Sequence, residues 1–254
     1  MAGGPAEPGV CIARGARATE AALLAEVGAF AREVRSDPAL LAKPLRVVVP
    51  SRSLREHLAA RLVRTHGHSL AGVSIQTLRG LSFELVRRAG GSSPAGDLLF
   101  PILVRQAARR EPALRAALDS LEDGYGVVAA GVSDLLDAGF ETAHAEAIDE
   151  WLEEPLGGAA AARARADLRV AAAGLGALDA ARLEHRSGLF RRAREALERD
   201  PWGARPSRRI LIHGSADVTG VQLELLAALV RYWGAQVLVD HPDDPSEPGR
   251  PDPG

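Results

Sequence analysis

The residues from Arg209 to Val230 read RILIHGSADVTGVQLELLAALV. The apolar run Ile210-Leu211-Ile212 has the character of a buried parallel strand; it stops at His213-Gly214, and an amphipathic helix follows. In an α/β nucleotide-binding fold the carboxyl end of such a strand is where a catalytic carboxylate stands. His213, Gly214, Ser215, Ala216 and Asp217 occupy that turn, and its first two residues are not acids. A second place for chemistry is the stretch IARGARATEAALLAEV, residues 12–27. A phosphate-binding loop reads GxxxxGK[ST], because glycines let backbone N–H groups close on the phosphates, lysine supplies charge and the hydroxyl holds Mg²⁺. Aligned on the following helix, those four places fall on Ala13, Ala18, Thr19 and Glu20. Both glycines, the lysine and the hydroxyl are gone, and Glu20 would repel a triphosphate. A plain strand-to-helix turn is the expectation here.

A third candidate joins RVVVPSRSLREHLAARL to SIQTLRGLSFELVRRAG. Ser51, Arg52, Thr77 and Arg79 stand at strand ends, where hydroxyls, guanidiniums and helix-terminal amides bind a nucleic-acid backbone. The plainer reading makes Ser53 and Thr77 helix caps, a role compatible with the first. The remaining reactive side chains point elsewhere. Lys43 is the single lysine, next to Pro44 and ahead of a strand, which is badly placed for a P-loop, a Schiff base or a nuclease acid–lysine motif. Cys11 is alone, so no disulfide and no cysteine-based zinc site forms within the chain. His66-Gly67-His68 reads as a polar turn, and Arg191, Arg192 and Arg194, interleaved with Glu195 and Glu198, as a solvated helix face. No metal site and no cofactor are expected.

Composition sets the outer bounds. At 254 residues with 46% hydrophobic residues the chain has ample material for a core, and a formal net charge of −2 gives no global basic field. Of 31 Lys+Arg all but Lys43 are arginine, which together with abundant Ala and Gly suggests a GC-rich coding bias and makes arginine number weak evidence for phosphate binding. Neither a signal peptide nor a run of about 18 apolar residues is present, so a cytosolic protein without membrane contact is expected.

Five short apolar runs read as strands, at 9–13, 45–50, 72–75, 209–213 and 236–240. Ser53 with Glu56 predicts a capping box for a helix through His66 with a Leu54, Leu58, Leu62 stripe, and Thr77 a cap for a helix carrying Leu78, Leu81 and Leu85. Thr219 with Gln222 predicts another box, with Val218, Val221, Leu225, Leu229 and Trp233 on one helix face. Alternation of this kind implies a parallel, doubly wound α/β sheet with helices on both faces. Between strands three and four the signals are helical, at 97–119, 121–138, 143–154 and 159–199, the last interrupted at Gly174, Gly176 and Gly188. The expected organisation is therefore residues 1–94 and 206–241 in the sheet domain, 95–205 as an inserted helical subdomain, and 242–254 as a Pro/Asp-rich disordered tail.

Taken in order, these stretches resemble the N-terminal part of the B subunit of AddAB-type helicase–nucleases, related to UvrD/RecB-type superfamily 1 helicases. In that family a P-loop is followed by a strand ending in a Pro/Ser/Thr turn, and then by a strand with a Thr-containing turn that touches single-stranded DNA. A helical insertion comes next, and after it a DExQD strand before a helix with a T/S-P-L-Q-like start. RVVVPSRSLREHLAARL is similar to the second element and VSIQTLRGLSFELVRRAG to the third; His213-Gly214-Ser215-Ala216-Asp217 fall on the DExQD places and Gln222 on the later Gln. The resemblance implies a RecA-like, P-loop-type sheet with both catalytic motifs degenerate. It further implies a bacterial, cytoplasmic DNA-repair and recombination protein that is a scaffold and single-stranded or unwinding DNA contact beside an active AddA-type helicase subunit. The chain then reads as a fragment lacking ATPase and nuclease activity. Two rivals are a remnant P-loop NTPase that still binds nucleotide, and a truncated product without stable function.

Overall fold

A computed structural model describes residues 9–66, 71–91, 99–152, 158–201 and 207–241. The expected disorder of 242–254, and most of the expected turn at His66-Gly67-His68, lie outside the described residues. The chain divides into two compact units: Met1–Leu85 with Glu195–Val218 and Leu226–Gly254, and Val86–Arg194 with Thr219–Leu225. The second unit thus begins earlier than residue 95 and ends before 205, and it takes in the first turns of the helix that follows strand four.

The first unit is built on five parallel strands, β1 (Gly9–Arg14), β2 (Leu45–Val49), β3 (Val73–Thr77), β4 (Arg209–His213) and β5 (Gln236–His241), in the spatial order β1-β5-β4-β2-β3. Continuous apolar runs mark them because a parallel strand is covered on both faces: Leu45, Val47, Val48, Val49, Ile210, Leu211 and Ile212 are all buried. Helices α1 (Ala16–Ser36) and α2 (Arg52–His66) pack Leu23, Val27, Phe30, Leu58 and Leu62 against Leu45, Val47, Val49, Leu211 and Leu238. Alternation along a strand sends Arg46 and Val48 to the opposite face. There Glu84 of α3 (Leu78–Arg88) holds the buried Arg46 with a two-oxygen ion pair. The chain moves outward from β1 to β2 to β3 and back from β4 to β5. Right-handed crossovers therefore put α10 (Gly220–Trp233) on the face opposite α1 and α2. In α10 Leu229 and Trp233 are fully buried, and the Trp233 indole N–H donates to the Pro201 carbonyl at 2.6 Å.

Helix starts depart from the expected caps. The Ser51 hydroxyl, not Ser53, accepts the Leu54 N–H at 3.2 Å, and Glu56 pairs with Arg52 instead of closing a box. Thr77 does cap α3, accepting the Gly80 N–H at 3.1 Å. Thr219 does not cap α10 with its side chain: its hydroxyl is buried without a partner, and only its carbonyl enters the helix, accepting Leu223 N–H at 2.8 Å.

The regular elements among the described residues of the second unit are helices. It contains α4 (Leu99–Ala108), α5 (Pro112–Leu118), α6 (Gly124–Ala138), α7 (Ala145–Leu152), α8 (Gly158–Ala180) and the greater part of α9 (Arg186–Arg199), whose residues from Glu195 on belong to the first unit. The expected helix 97–119 is two helices, because Pro112 cannot continue the first but suits the first turn of the next. Conversely, α8 runs through Gly174 and Gly176 without a break. A Cβ at Gly174 would lie 3.2 Å from the Phe100 ring, so that glycine serves close helix packing rather than interruption. Phe100, Val104, Tyr125, Val132, Leu136 and Leu178 belong to the core of this unit.

Candidate functional site

All sequence-derived candidates of the sheet unit lie at or near the carboxyl ends of its strands, the edge at which ligands meet open α/β sheets. The edge has two dissimilar halves.

In the half nearest β1, the expected loop is not a loop. Ala13 lies within β1, and Ala18, Thr19 and Glu20 lie within α1; Gly15 alone separates strand from helix. Gly15 adopts φ 80° and ψ 150°, a conformation open essentially to glycine only, and this is what allows so abrupt a turn. Backbone amides that cradle a phosphate need several residues between strand and helix, and here none converge. Thr19 is buried, its hydroxyl donating to the Gly15 carbonyl at 3.2 Å. Glu20 accepts Nε of Arg61 at 2.8 Å and lies 3.1 Å from Nε2 of His57, which ties α1 to α2. Burial alone would raise the Glu20 carboxyl, but the His57 and Arg61 hydrogen bonds outweigh it and hold the group below the usual carboxylate range. The place of the Mg²⁺-binding hydroxyl is thus filled by an acid already neutralised from within.

His213 ends β4 on the same face as Leu211, toward α1 and α2, with Nδ1 buried and unpartnered. Burial depresses its pKa despite the opposing influence of Glu20 and Asp240, so the imidazole is held neutral. Gly214, at the second place of the DExQD-like turn, has φ 75°, and a Cβ there would lie 2.5 Å from Leu54 Cδ2. An acid at this position would need both a left-handed backbone and displacement of Leu54. Ser215, Ala216 and Asp217 continue into an irregular turn before α10. Among the described residues no group of three or more His, Cys, Asp or Glu is placed to hold a metal ion.

In the other half, the turns after β2 and β3 stand side by side because Val49 and Thr77 are register partners. Ser51 and Arg52 open α2, and Thr77 and Arg79 open α3. The cap bond uses one acceptor lone pair of Thr77 and leaves its O–H to donate, whereas the Ser51 hydroxyl also lies 3.1 Å from that of Ser53 and shares a hydrogen bond with it. Arg52 has a side chain 80% exposed, its Nε donating to Glu56 at 2.7 Å, and Arg79 is exposed. The structure therefore brings the four expected residues to one strand-end edge, with Thr77 in its expected capping role and Ser51 in the role expected of Ser53. It adds Glu56 as a carboxylate that competes for Arg52. Glu56 stood four residues from Arg52, helical pairing distance, so this contact was readable; the Glu20–His57–Arg61 knot, spanning 37 and 41 residues, was not.

No protein-family model matches the chain, and no curated protein is significantly similar to it in sequence. Among the described residues no helix is long and apolar enough to cross a membrane.

Proposed function

We propose that this chain is a non-catalytic, RecA-like helicase domain that contacts the backbone of single-stranded DNA along the turns after β2 and β3, as a cytoplasmic scaffold beside an active helicase subunit of AddA type. The observation that carries the reading is the Val49–Thr77 register, which brings two hydroxyls, two arginines and the starts of α2 and α3 to neighbouring strand ends. Such groups are directed at phosphates and are tolerant of base sequence. The strand order supports the RecA-like assignment: β1 and β4, the strands of the two degenerate motifs, flank β5, so both motifs reach the same edge. The rival, a remnant nucleotide site, has against it the single-residue turn at Gly15 and the carboxylate of Glu20.

Fluorescence anisotropy with labelled oligonucleotides tests the proposal. Single strands of unrelated sequence are expected to bind weakly and with similar affinity, and Arg52→Ala with Arg79→Ala to weaken all of them alike. Strong preference for one sequence, or affinity for a labelled ATP analogue that depends on Mg²⁺, would overturn it.

A further inference from the structure

We propose that the helical unit carries a nucleic-acid phosphate contact of its own, formed by Arg105 and Arg109 over the ring of Tyr125 together with Arg110 and Arg115. Arg105 lies in the last turn of α4, and Arg109 and Arg110 follow that helix directly. The guanidinium carbons of Arg105 and Arg109 lie 5.6 and 5.3 Å from the Tyr125 ring centroid. Because Pro112 starts α5 at once, Arg115 comes back over the end of α4 and donates Nε and Nη2 to the Arg109 carbonyl at 3.0 and 2.9 Å. Four guanidiniums are thereby gathered from eleven residues of chain.

None of the four has a carboxylate partner among the described residues. Two acids near them in the chain are otherwise engaged: Glu111 accepts Arg169 at 2.8 Å, and Asp119 accepts the Tyr125 hydroxyl at 2.6 Å. Glu122 and Asp123, in the turn before α6, form no ion pair with them. The contrast within the same unit is with Arg191, Arg192 and Arg194, each of which holds a glutamate, Glu141, Glu184 and Glu224 respectively. The carboxyl end of α4 favours a cation or two through its helix dipole; four exceed that need and repel one another. Guanidiniums lying over an aromatic ring keep their planes fixed and their N–H edges outward, the arrangement that receives phosphate oxygens. The choice of nucleic acid as the polyanion rests on the DNA-contacting reading above; the charge cluster does not.

The test uses the full chain, with Arg105→Gln, Arg109→Gln and Arg110→Gln combined so that Arg115 keeps its backbone contact. Binding is followed against salt for a labelled single strand and a labelled duplex, each of about 20 nucleotides per strand. The slope of log K against log salt should flatten by roughly 2 on a single strand, or by somewhat more on a duplex, with affinity down at least about tenfold at low salt. The form that shows the loss identifies which backbone is held. An unchanged slope on both forms in a folded variant overturns the proposal, as does charge-dependent binding to phosphatidylserine vesicles with none to DNA. Should the triple variant not fold, Arg110→Glu, which changes an exposed side chain with no structural bond, is expected to weaken DNA binding, and unchanged affinity there counts equally against the patch. A loss confined to Arg52→Ala with Arg79→Ala would leave the sheet-edge reading standing and remove this one; a loss confined to the triple variant would do the reverse.

Discussion

The two halves of the sheet's carboxyl edge use the same architecture to opposite ends. Beside β1 and β4 the polar groups are turned inward: Glu20 is bonded by His57 and Arg61, His213 is buried and neutral, and Leu54 fills the space in front of Gly214. Beside β2 and β3 the polar groups are turned outward, with Arg52 and Arg79 exposed at helix starts capped by Ser51 and Thr77. A strand-end edge is available to a ligand only where its polar groups reach solvent. By that criterion the half that would hold nucleotide is closed and the half proposed to hold DNA is open.

Both halves depend on β2, and the largest expected effect comes from breaking what lies beneath it. Glu84→Ala leaves Arg46 buried without its partner and should cost about 3–5 kcal/mol in a denaturant titration. A cost within about 0.5 kcal/mol, the level of an ordinary surface change, would show that the pair is not structural.

The closed half is tested by trying to reopen it. Gly214→Ala should lose about 1–2 kcal/mol from the left-handed backbone alone, with more from the contact at Leu54. Gly214→Glu combined with His213→Asp, which restores the acidic pair in type, is expected to destabilise the protein and to yield no ATP hydrolysis. Measurable turnover from that double variant would contradict the description of the edge as closed.

Acid should act on the closed half through His213. His213 is neutral in the folded protein and takes up a proton in the unfolded chain below its ordinary pKa of about 6.5. Unfolding then binds the extra proton, so stability is present above that pH and is lost as pH falls below it. His185 in the helical unit, pushed down to about 4 by burial, contributes with the same sign between those two values. In a His185→Asn background, which keeps an acceptor for the Ser187 N–H, His213→Asn should flatten the remaining acid slope. A slope unchanged by His213→Asn would mean that the imidazole is not held neutral by burial.

Much of the scaffold was legible in the sequence because it follows local rules. Strand runs such as Arg209–His213 are apolar throughout, and the Leu54, Leu58, Leu62 stripe is one helix face. Local rules also misled where two residues competed for one job. Ser51 and Ser53 both precede α2, and only the backbone geometry of the turn decides that Ser51 takes the Leu54 N–H. Glycines 174 and 176 read as breaks, yet α8 runs through both, and at Gly174 packing against Phe100 overrides the low helix propensity. What closes the nucleotide half could not be read, since the Glu20 knot and the Leu54–Gly214 contact join residues far apart in the chain. Their partners became neighbours only once the strand order β1-β5-β4-β2-β3 was known.

The smallest effect in energy is also the most direct test of the central claim. Replacing Arg52 and Arg79 by alanine removes two exposed guanidiniums and should change folding stability by no more than about 0.5 kcal/mol. If each contacts one phosphate, their share of the slope of log K against log salt on single-stranded DNA is roughly −1.4, and the double variant should be flatter by that amount for every sequence tried. Glu56→Gln, which frees Arg52 from its carboxylate, should move affinity the other way. The deciding measurement is the salt dependence of single-strand binding by the wild-type chain and the folded double variant. A flatter slope with uniformly weaker binding is the predicted result; identical slopes and affinities would contradict the account.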